Sequence, residues 1–360
     1  MKRLPLMAQP SFLTIIVAVI IVFVTVSILV FMAAFLVRYK RERNQQKEKK
    51  LVLKFQELFS DYLFSSEDES LISIRMKKFK PYTKNKFDKS ILLKTLFKIH
   101  KDMTGDIAEK LKMLYLELEM VDDSMKKIKS SKWHIQIKGM KELSDMKIKN
   151  AAHDIALLSL SKNEILRREA QLALVKINGF QALNFLHTLT YPLSEWQQLL
   201  LLETIQYFNE NNLPPLENLF KSENDSVVIF VLKICRIFNL INLKDQLIQL
   251  LNHENETIII ETIEVLGELQ ITDSLAILKR KYAKSTKAVK VKTIELFGKI
   301  ADKTSIPFLA DQLILYDYEN TLEVLRSIKA IEGKEKLEEL KSSLNSKQQA
   351  LLLHVIEENK

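Results

Sequence analysis

From residue 132 onward the sequence repeats itself. With starts at Lys132, Asn163, Ser194, Asn224, Asn255, Thr286 and Asp317, the successive spacings are 31, 31, 30, 31, 31 and 31 residues. A recurrence of this length constrains the fold more than any single motif, because one such unit cannot bury its apolar face alone and neighbours must stack. Six of the seven starts are Asn, Ser, Thr or Asp, whose side chains accept hydrogen bonds from the unpaired amides of a helix's first turn. Each start is therefore expected to be an N-cap.

The phases inside the units agree. Eleven residues after the starts stand Leu143, Leu174, Ile205, Cys235, Leu266, Phe297 and Ile328, and fourteen after them Met146, Ile177, Phe208, Phe238, Leu269, Ile300 and Ile331. Positions three apart share one helix face. Polar or Gly-containing turns come next, such as Asn178-Gly179, Asn211-Asn212, Thr272-Asp273 and Glu332-Gly333. A second apolar series then runs through Ile155, Leu186, Leu247, Leu278, Leu309 and Leu340, broken by Glu217, beside which stand Leu216 and Leu219. Each unit reads as helix, turn, helix.

This pattern resembles the HEAT family, whose first helix carries an apolar-Arg-x-x-Ala element and whose second helix often begins near Pro-x-Leu. Leu166-Arg167-x-x-Ala170 matches the first and Pro307-Phe308-Leu309 the second, while Leu266-Gly267 and Phe297-Gly298 match the Leu-Gly that closes the first helix. The arginine is absent from most units, and Pro215 is followed by Glu217 where Leu is expected. The resemblance implies an all-α chain with a right-handed α-solenoid of about seven hairpins over residues 132–347, and a role in protein–protein contact. The junction Lys132-Trp133-His134 is similar to that of membrane-anchored bacterial members of the family. Some of those are thought to work beside envelope glycosyltransferases.

Residues 90–131 and 348–360 read as helical caps on the two ends of the array, which stacked repeats require. Ser90 is the expected N-cap of the first cap, Gly105 its break, and Leu111, Leu114 and Leu118 its apolar stripe. The last helix is expected over 347–357, followed by Glu358, Asn359 and Lys360.

The N-terminus constrains location. Residues 12–37 are free of charge, and a helix of that length rises about 39 Å against about 30 Å of bilayer hydrocarbon. The run exceeds the apolar core of a signal peptide, about 15 residues. Lys2 and Arg3 precede it, whereas Arg38, Lys40, Arg41, Arg43, Lys47, Lys49 and Lys50 come after it. By the positive-inside rule, residues 1–11 lie outside and everything after the span lies in the cytoplasm. Arg38, Lys40, Arg41 and Arg43 are the candidates for contact with anionic headgroups. Leu51, Leu53, Phe55, Leu58, Phe59 and Leu63 then mark an amphipathic helix within 38–64, lying on lipid, paired with a partner helix, or packed on the next domain of the chain. Residues 65–89, with Glu67, Asp68 and Glu69 ahead of seven basic side chains interleaved with Phe79, Tyr82 and Phe87, read as a solvated linker.

Charge narrows the partners. The net charge is +9, but residues 1–50 contribute +7 and 51–89 contribute +2, leaving 90–360 neutral. Nucleic acid is not an expected partner, since phosphate contacts supply most of that affinity. Six scattered histidines lack metal-ligand spacing, and no phosphate loop, dinucleotide fingerprint or nucleophile turn is present. No cofactor, metal, small-molecule substrate or catalytic residue is expected, and the chain is read as a non-enzyme. The single Cys235 occupies an apolar slot and reads as core, Trp133 as buried packing, and Asp122 and Asp123 as a helix cap. The expected binding row lies on the second helices at His153, Asn184, Asp245, Gln249, Arg280, Asp311 and Glu338, whose mixed charge suits a polar protein partner. A membrane-tethered scaffold or adaptor is the function expected. A regulatory subunit of a membrane enzyme such as a glycosyltransferase is the alternative, and a HEAT-like lyase or a nucleic-acid binder is disfavoured.

Overall fold

The structure is a computed structural model that describes residues 12–64, 69–101, 103–314 and 317–358. Among the described residues the regular structure is entirely helical. The tail at 1–11, with Lys2 and Arg3, the acidic Glu67 and Asp68, and the terminal Asn359 and Lys360 lie outside them. The chain forms two compact units, Met1–Lys129 and Ser130–Lys360.

The first unit is dominated by α1, Phe12–Phe64, followed by α2 (Glu69–Lys77), α3 (Lys86–Lys101), α4 (Asp106–Glu117) and α5 (Met120–Ile128). The N-terminal half of α1 is long and apolar enough to cross a membrane, with a mean hydropathy of 3.1 over its most apolar window. Arg38, Lys40, Arg41 and Arg43 continue the same helix and are solvent exposed, with Arg38 Nε 3.2 Å from Glu42 Oε1. Of the three places expected for the amphipathic stretch, the structure shows packing on later helices of the same unit: Phe55, Leu58, Phe59, Tyr62 and Leu63 are buried, and α1 packs on α2 and α3.

Residues 69–89 are not the linker expected. They hold α2, a 3-10 turn over Lys80–Thr83 and the start of α3. Phe79 is fully buried, 5.1 Å from the Phe59 ring and 6.2 Å from Tyr62, and Tyr82 meets Phe55 edge-on at 5.0 Å. Burying a ring of this kind is worth about 1.5–3 kcal/mol, enough to order a segment whose charges alone suggest a loop. Lys78 and Arg75 close over Asp61 at 2.8 and 3.6 Å. Ser90 is not a cap either. Helix α3 starts a turn earlier, where Asn85 Oδ1 accepts the amide of Phe87 at 2.8 Å. Asp122 and Asp123 sit in the first turn of α5 rather than at its cap, which is Glu119. The Lys89 ammonium beside Asp123 holds its carboxyl below the usual range.

The second unit opens with α6 (Trp133–Asp145), α7 (Ala152–Leu158), α8 (Glu164–Asn178), α9 (Glu195–Ile205) and α10 (Asp225–Ile237). It continues with α11 (Lys244–Leu250), α12 (Glu256–Glu268), α13 (Ser274–Tyr282), α14 (Lys287–Ile300) and α15 (Ile306–Asp311). It ends with α16 (Tyr318–Glu332), α17 (Lys334–Leu340) and α18 (Ser346–Glu357). All seven starts read from the repeat are the N-cap residues of α6, α8, α9, α10, α12, α14 and α16. At Asn163, Ser194, Asn224, Asn255 and Thr286 the side chain accepts a first-turn amide. Each of these long helices packs on its successor, ending with α16 on α18. A further cap, Asn345, forms a reciprocal box with Gln348 at the head of α18.

Six of the seven helices also stop in a common phase, α9 being the exception, with Gln206 still in right-handed helical backbone. Lys147, Asn239, Gln270 and Ala301 adopt left-handed backbone at φ 50 to 56°, and Gly179 and Gly333 do so at 65 and 86°. The amides of Ile148, Leu240 and Ile271 then reach back to the carbonyls of Leu143, Cys235 and Leu266, each at 3.0 Å, closing the helix end.

The second elements are less regular than the expected helix. After α8 stands a 3-10 segment, Gly179–Thr188, and after α9 only 3-10 turns at Glu210–Asn212 and Leu219–Lys221. Pro192, Pro214 and Pro215 withhold amide donors in this stretch. Leu186, Leu216 and Leu219 are nevertheless buried, while Glu217 is exposed.

Candidate functional site

The second elements carry the residues expected to bind. His153 lies on α7, Asn184 on the 3-10 segment, Asp245 and Gln249 one turn apart on α11, Arg280 on α13, Asp311 at the end of α15 and Glu338 on α17. All seven are solvent exposed. Their neighbours in the chain, Ile155, Leu247, Leu278, Leu309 and Leu337, are buried, so a single helical turn separates the anchoring face from the outward row.

The structure brings Arg280 into a groove that no sequence motif marked. Its volume is about 500 Å³, within the range of about 300–1,000 Å³ typical of ligand sites. One wall comes from the turn between α11 and α12, with Asn252, His253, Glu254 and Glu256; the other comes from α13 and the turn into α14, with Arg280, Lys281, Lys284 and Thr286. Leu251, Leu278, Ile259 and Val289 form an apolar floor. The walls are one repeat apart, which is why no local motif announces them.

Hydrogen bonds fix part of this groove. Lys281 Nζ donates to the Leu251 carbonyl and, at 2.8 Å, to Asn252 Oδ1, and burial pulls its ammonium below the usual lysine value. Thr286 donates to Glu256 Oε1 at 2.7 Å, and His253 Nδ1 accepts the Asn255 amide at 3.0 Å. Arg280 and Lys284 line the groove as exposed cations. A signal was present in the sequence: from Lys279 to Lys292 there are seven basic residues and no acidic one, inside the region 90–360 that is neutral overall.

An equivalent groove lies two repeats earlier, between the 3-10 segment with His187 and Thr188 and the turn carrying Lys221, Glu223 and Asp225, with a volume of about 710 Å³. Its charges are mixed. The basic wall at Arg280 is therefore a property of these side chains and not of the turn geometry.

No protein-family model matches the chain. No curated protein matches it. Among solved structures the chain is similar to YibA of Escherichia coli, at 19% identity and a TM-score of 0.39, over 74% of this chain and 97% of that one. The functional reading therefore rests on the residues themselves.

Other singled-out residues resolve as follows. Cys235 is fully buried, and burial pushes its thiol up to about 12, which suits core packing and not nucleophilic chemistry. Trp133 is not buried as expected: it sits in the exposed first turn of α6, 44% accessible, edge-on to His134 at 5.9 Å. Among the described residues no cluster of His, Cys, Asp and Glu is placed to hold a metal ion.

Proposed function

We propose that this chain is a membrane-tethered adaptor: a single-pass anchor with the N-terminus outside, and a cytoplasmic HEAT-like, right-handed α-solenoid that presents its second helices to a protein partner. The observation that carries the reading is the division of labour within each unit. The long helices are capped and stacked in phase, while the short elements of six of the seven units hold exposed polar side chains. A scaffold that spends its apolar residues on stacking leaves such side chains available for contact, as stacked repeats do. The apolar half of α1 and the exposed Arg38, Lys40, Arg41 and Arg43 after it support the anchor and its direction.

Two experiments test the two halves. A reporter fused after Lys360 is expected to be active in the cytoplasm, and activity confined to the other side overturns the topology. Affinity capture from solubilised membranes is expected to return a partner that is lost on Asp245→Lys. A set of captured proteins indifferent to charge reversal at Asp245, Arg280 and Glu338 overturns the binding row.

A further inference from the structure

We infer that the groove at Arg280 is the adaptor's recognition pocket for an acidic peptide segment, one that sets an apolar side chain on the floor and carboxylates against Arg280 and Lys284. The inference rests on the adaptor reading and deepens it.

Three observations select this ligand chemistry. The base of the groove is apolar, with Ile259 half-buried and Leu251, Leu278 and Val289 nearly covered beneath it, so it receives an apolar side chain over Ile259 and gives nothing to a bare ion. The basic wall is asymmetric. Lys281 is already committed to the Leu251 carbonyl and Asn252, so Arg280 and Lys284 are the cations presented to an incoming group. Glu254 and Glu256 stand on the opposite wall, with Glu256 receiving Thr286. Carboxylates on that side repel a polyanion such as nucleic acid, whose charge is unbroken along its length, but they accept backbone amides. A peptide with a local acidic cluster satisfies both walls; a phosphate chain satisfies one.

The comparison inside the molecule strengthens the assignment. The equivalent groove at Thr188 and Asn224 is larger, about 710 Å³, and sets a single lysine, Lys221, beside Glu223 and Asp225, where the Arg280 groove sets three basic side chains against Glu254 and Glu256. Discrimination between the two grooves by charge is then built into one scaffold, because like charges facing each other are excluded as strongly as unlike charges are drawn in.

The test uses the full chain in detergent micelles and an array of short fluorescein-labelled peptides. Each carries one Leu or Phe flanked by Asp and Glu, with matched peptides in which the acids become Gln or Lys. Fluorescence polarisation is expected to rank acidic above neutral above basic peptides. Arg280→Glu and Lys284→Glu are each expected to weaken the acidic peptides about tenfold, with unchanged melting since both side chains are exposed. The double reversal is expected to prefer the lysine peptides, and Arg280→Lys to retain binding. Millimolar inorganic phosphate is expected not to displace the peptide. No acid preference, equal affinity in the reversed chains, or complete displacement by phosphate overturns the proposal. If the peptides fail while Asp245→Lys still releases a captured partner, the groove assignment falls and the adaptor reading stands.

Discussion

Residues 179–222 and residues 225–311 belong to the same repeat pattern and solve the same packing problem in different ways. In the later stretch each long helix is followed by a short α-helix: α11 after α10, α13 after α12, α15 after α14. In the earlier one, prolines and a 3-10 backbone replace that helix, and polar side chains make up for the missing ladder. Gln171 Nε2 donates to the Tyr191 hydroxyl at 2.7 Å, Gln197 Nε2 to Gln171 Oε1 at 2.8 Å, and the Arg167 guanidinium covers the Tyr191 ring at 4.0 Å. Asn224 caps α10 and also donates to the carbonyls of Leu189 and Tyr191, at 3.1 and 2.8 Å. The long helices, with Leu201, Ile205 and Cys235 wholly buried, continue through both stretches. Stacking of the long helices thus sets the register, and the second element needs only to bury one or two apolar side chains in whatever backbone it adopts.

That contrast can be broken by measurement. The largest effect is expected from Leu266→Ala in the regular stretch, which leaves a void between tightly stacked helices and costs about 2–5 kcal/mol in chemical unfolding followed by circular dichroism. Leu216→Ala, under an irregular backbone that can collapse onto the gap, is expected at the low end, about 2 kcal/mol. Equal losses would show that the irregular stretch is as rigid as the regular one.

Next come two glycines in the same phase. A Cβ on Gly298 would stand 2.8 Å from Ser327 Oγ and 3.0 Å from its Cα, whereas on Gly267 the nearest atoms are 3.5 Å away. Gly298→Ala is expected to cost about 1–3 kcal/mol by pushing α14 from α16, and Gly267→Ala to gain up to about 1 kcal/mol from helix propensity. The same unfolding curves read both, and a loss at Gly267 would contradict the looser contact.

Caps separate the stretches more finely. Asn255→Ala removes a cap, worth about 1 kcal/mol, and one bond from its side-chain amide to Asp225 Oδ2 at 2.6 Å, outside the irregular segment. Asn224→Ala removes a cap and two carbonyl partners of the irregular segment, and about 1 kcal/mol more is expected to be lost. Hydrogen exchange at residues 186–193 should rise in the second variant and not in the first.

The smallest effect on stability, and the cleanest kinetic one, concerns Cys235. With its thiol pushed up to about 12 by burial, iodoacetamide at pH 8 is expected to alkylate the folded chain roughly a thousandfold more slowly than the denatured chain. The rate should climb about tenfold per pH unit without levelling off before pH 12, whereas that of the denatured chain levels off near its ordinary thiol value. Ready alkylation at pH 8 would mean that the α10 layer opens.

Much of the second unit was legible because its signals are local. An N-cap is a side chain bonding to an amide two or three residues on, and an apolar pair three apart shares a face whatever it packs against, so starts and faces could be read from Asn163 or Ile205 alone. The left-handed helix ends carry a residue type that favours them only at Gly179, Asn239 and Gly333. Lys147, Gln270 and Ala301 adopt that backbone under tertiary constraint, with no residue type to declare it. The first unit was less legible. Phe79 and Tyr82 lie in a basic run that resembles a loop, and their burial depends on Phe55, Phe59 and Tyr62, on a different helix.

By itself, the sequence determined that the chain is helical, where seven helices begin, which side of each is apolar, and that one end is long and uncharged enough to enter a bilayer. These come from hydrogen bonds and periodicities spanning a few residues. Tertiary structure decided the rest: which second elements are α and which 3-10, where Gly298 must stay small, and that Arg280 and Lys284 face His253 and Glu254 across a groove. Such pairings join residues about one repeat apart, and only the packing of one helix on the next sets their distance.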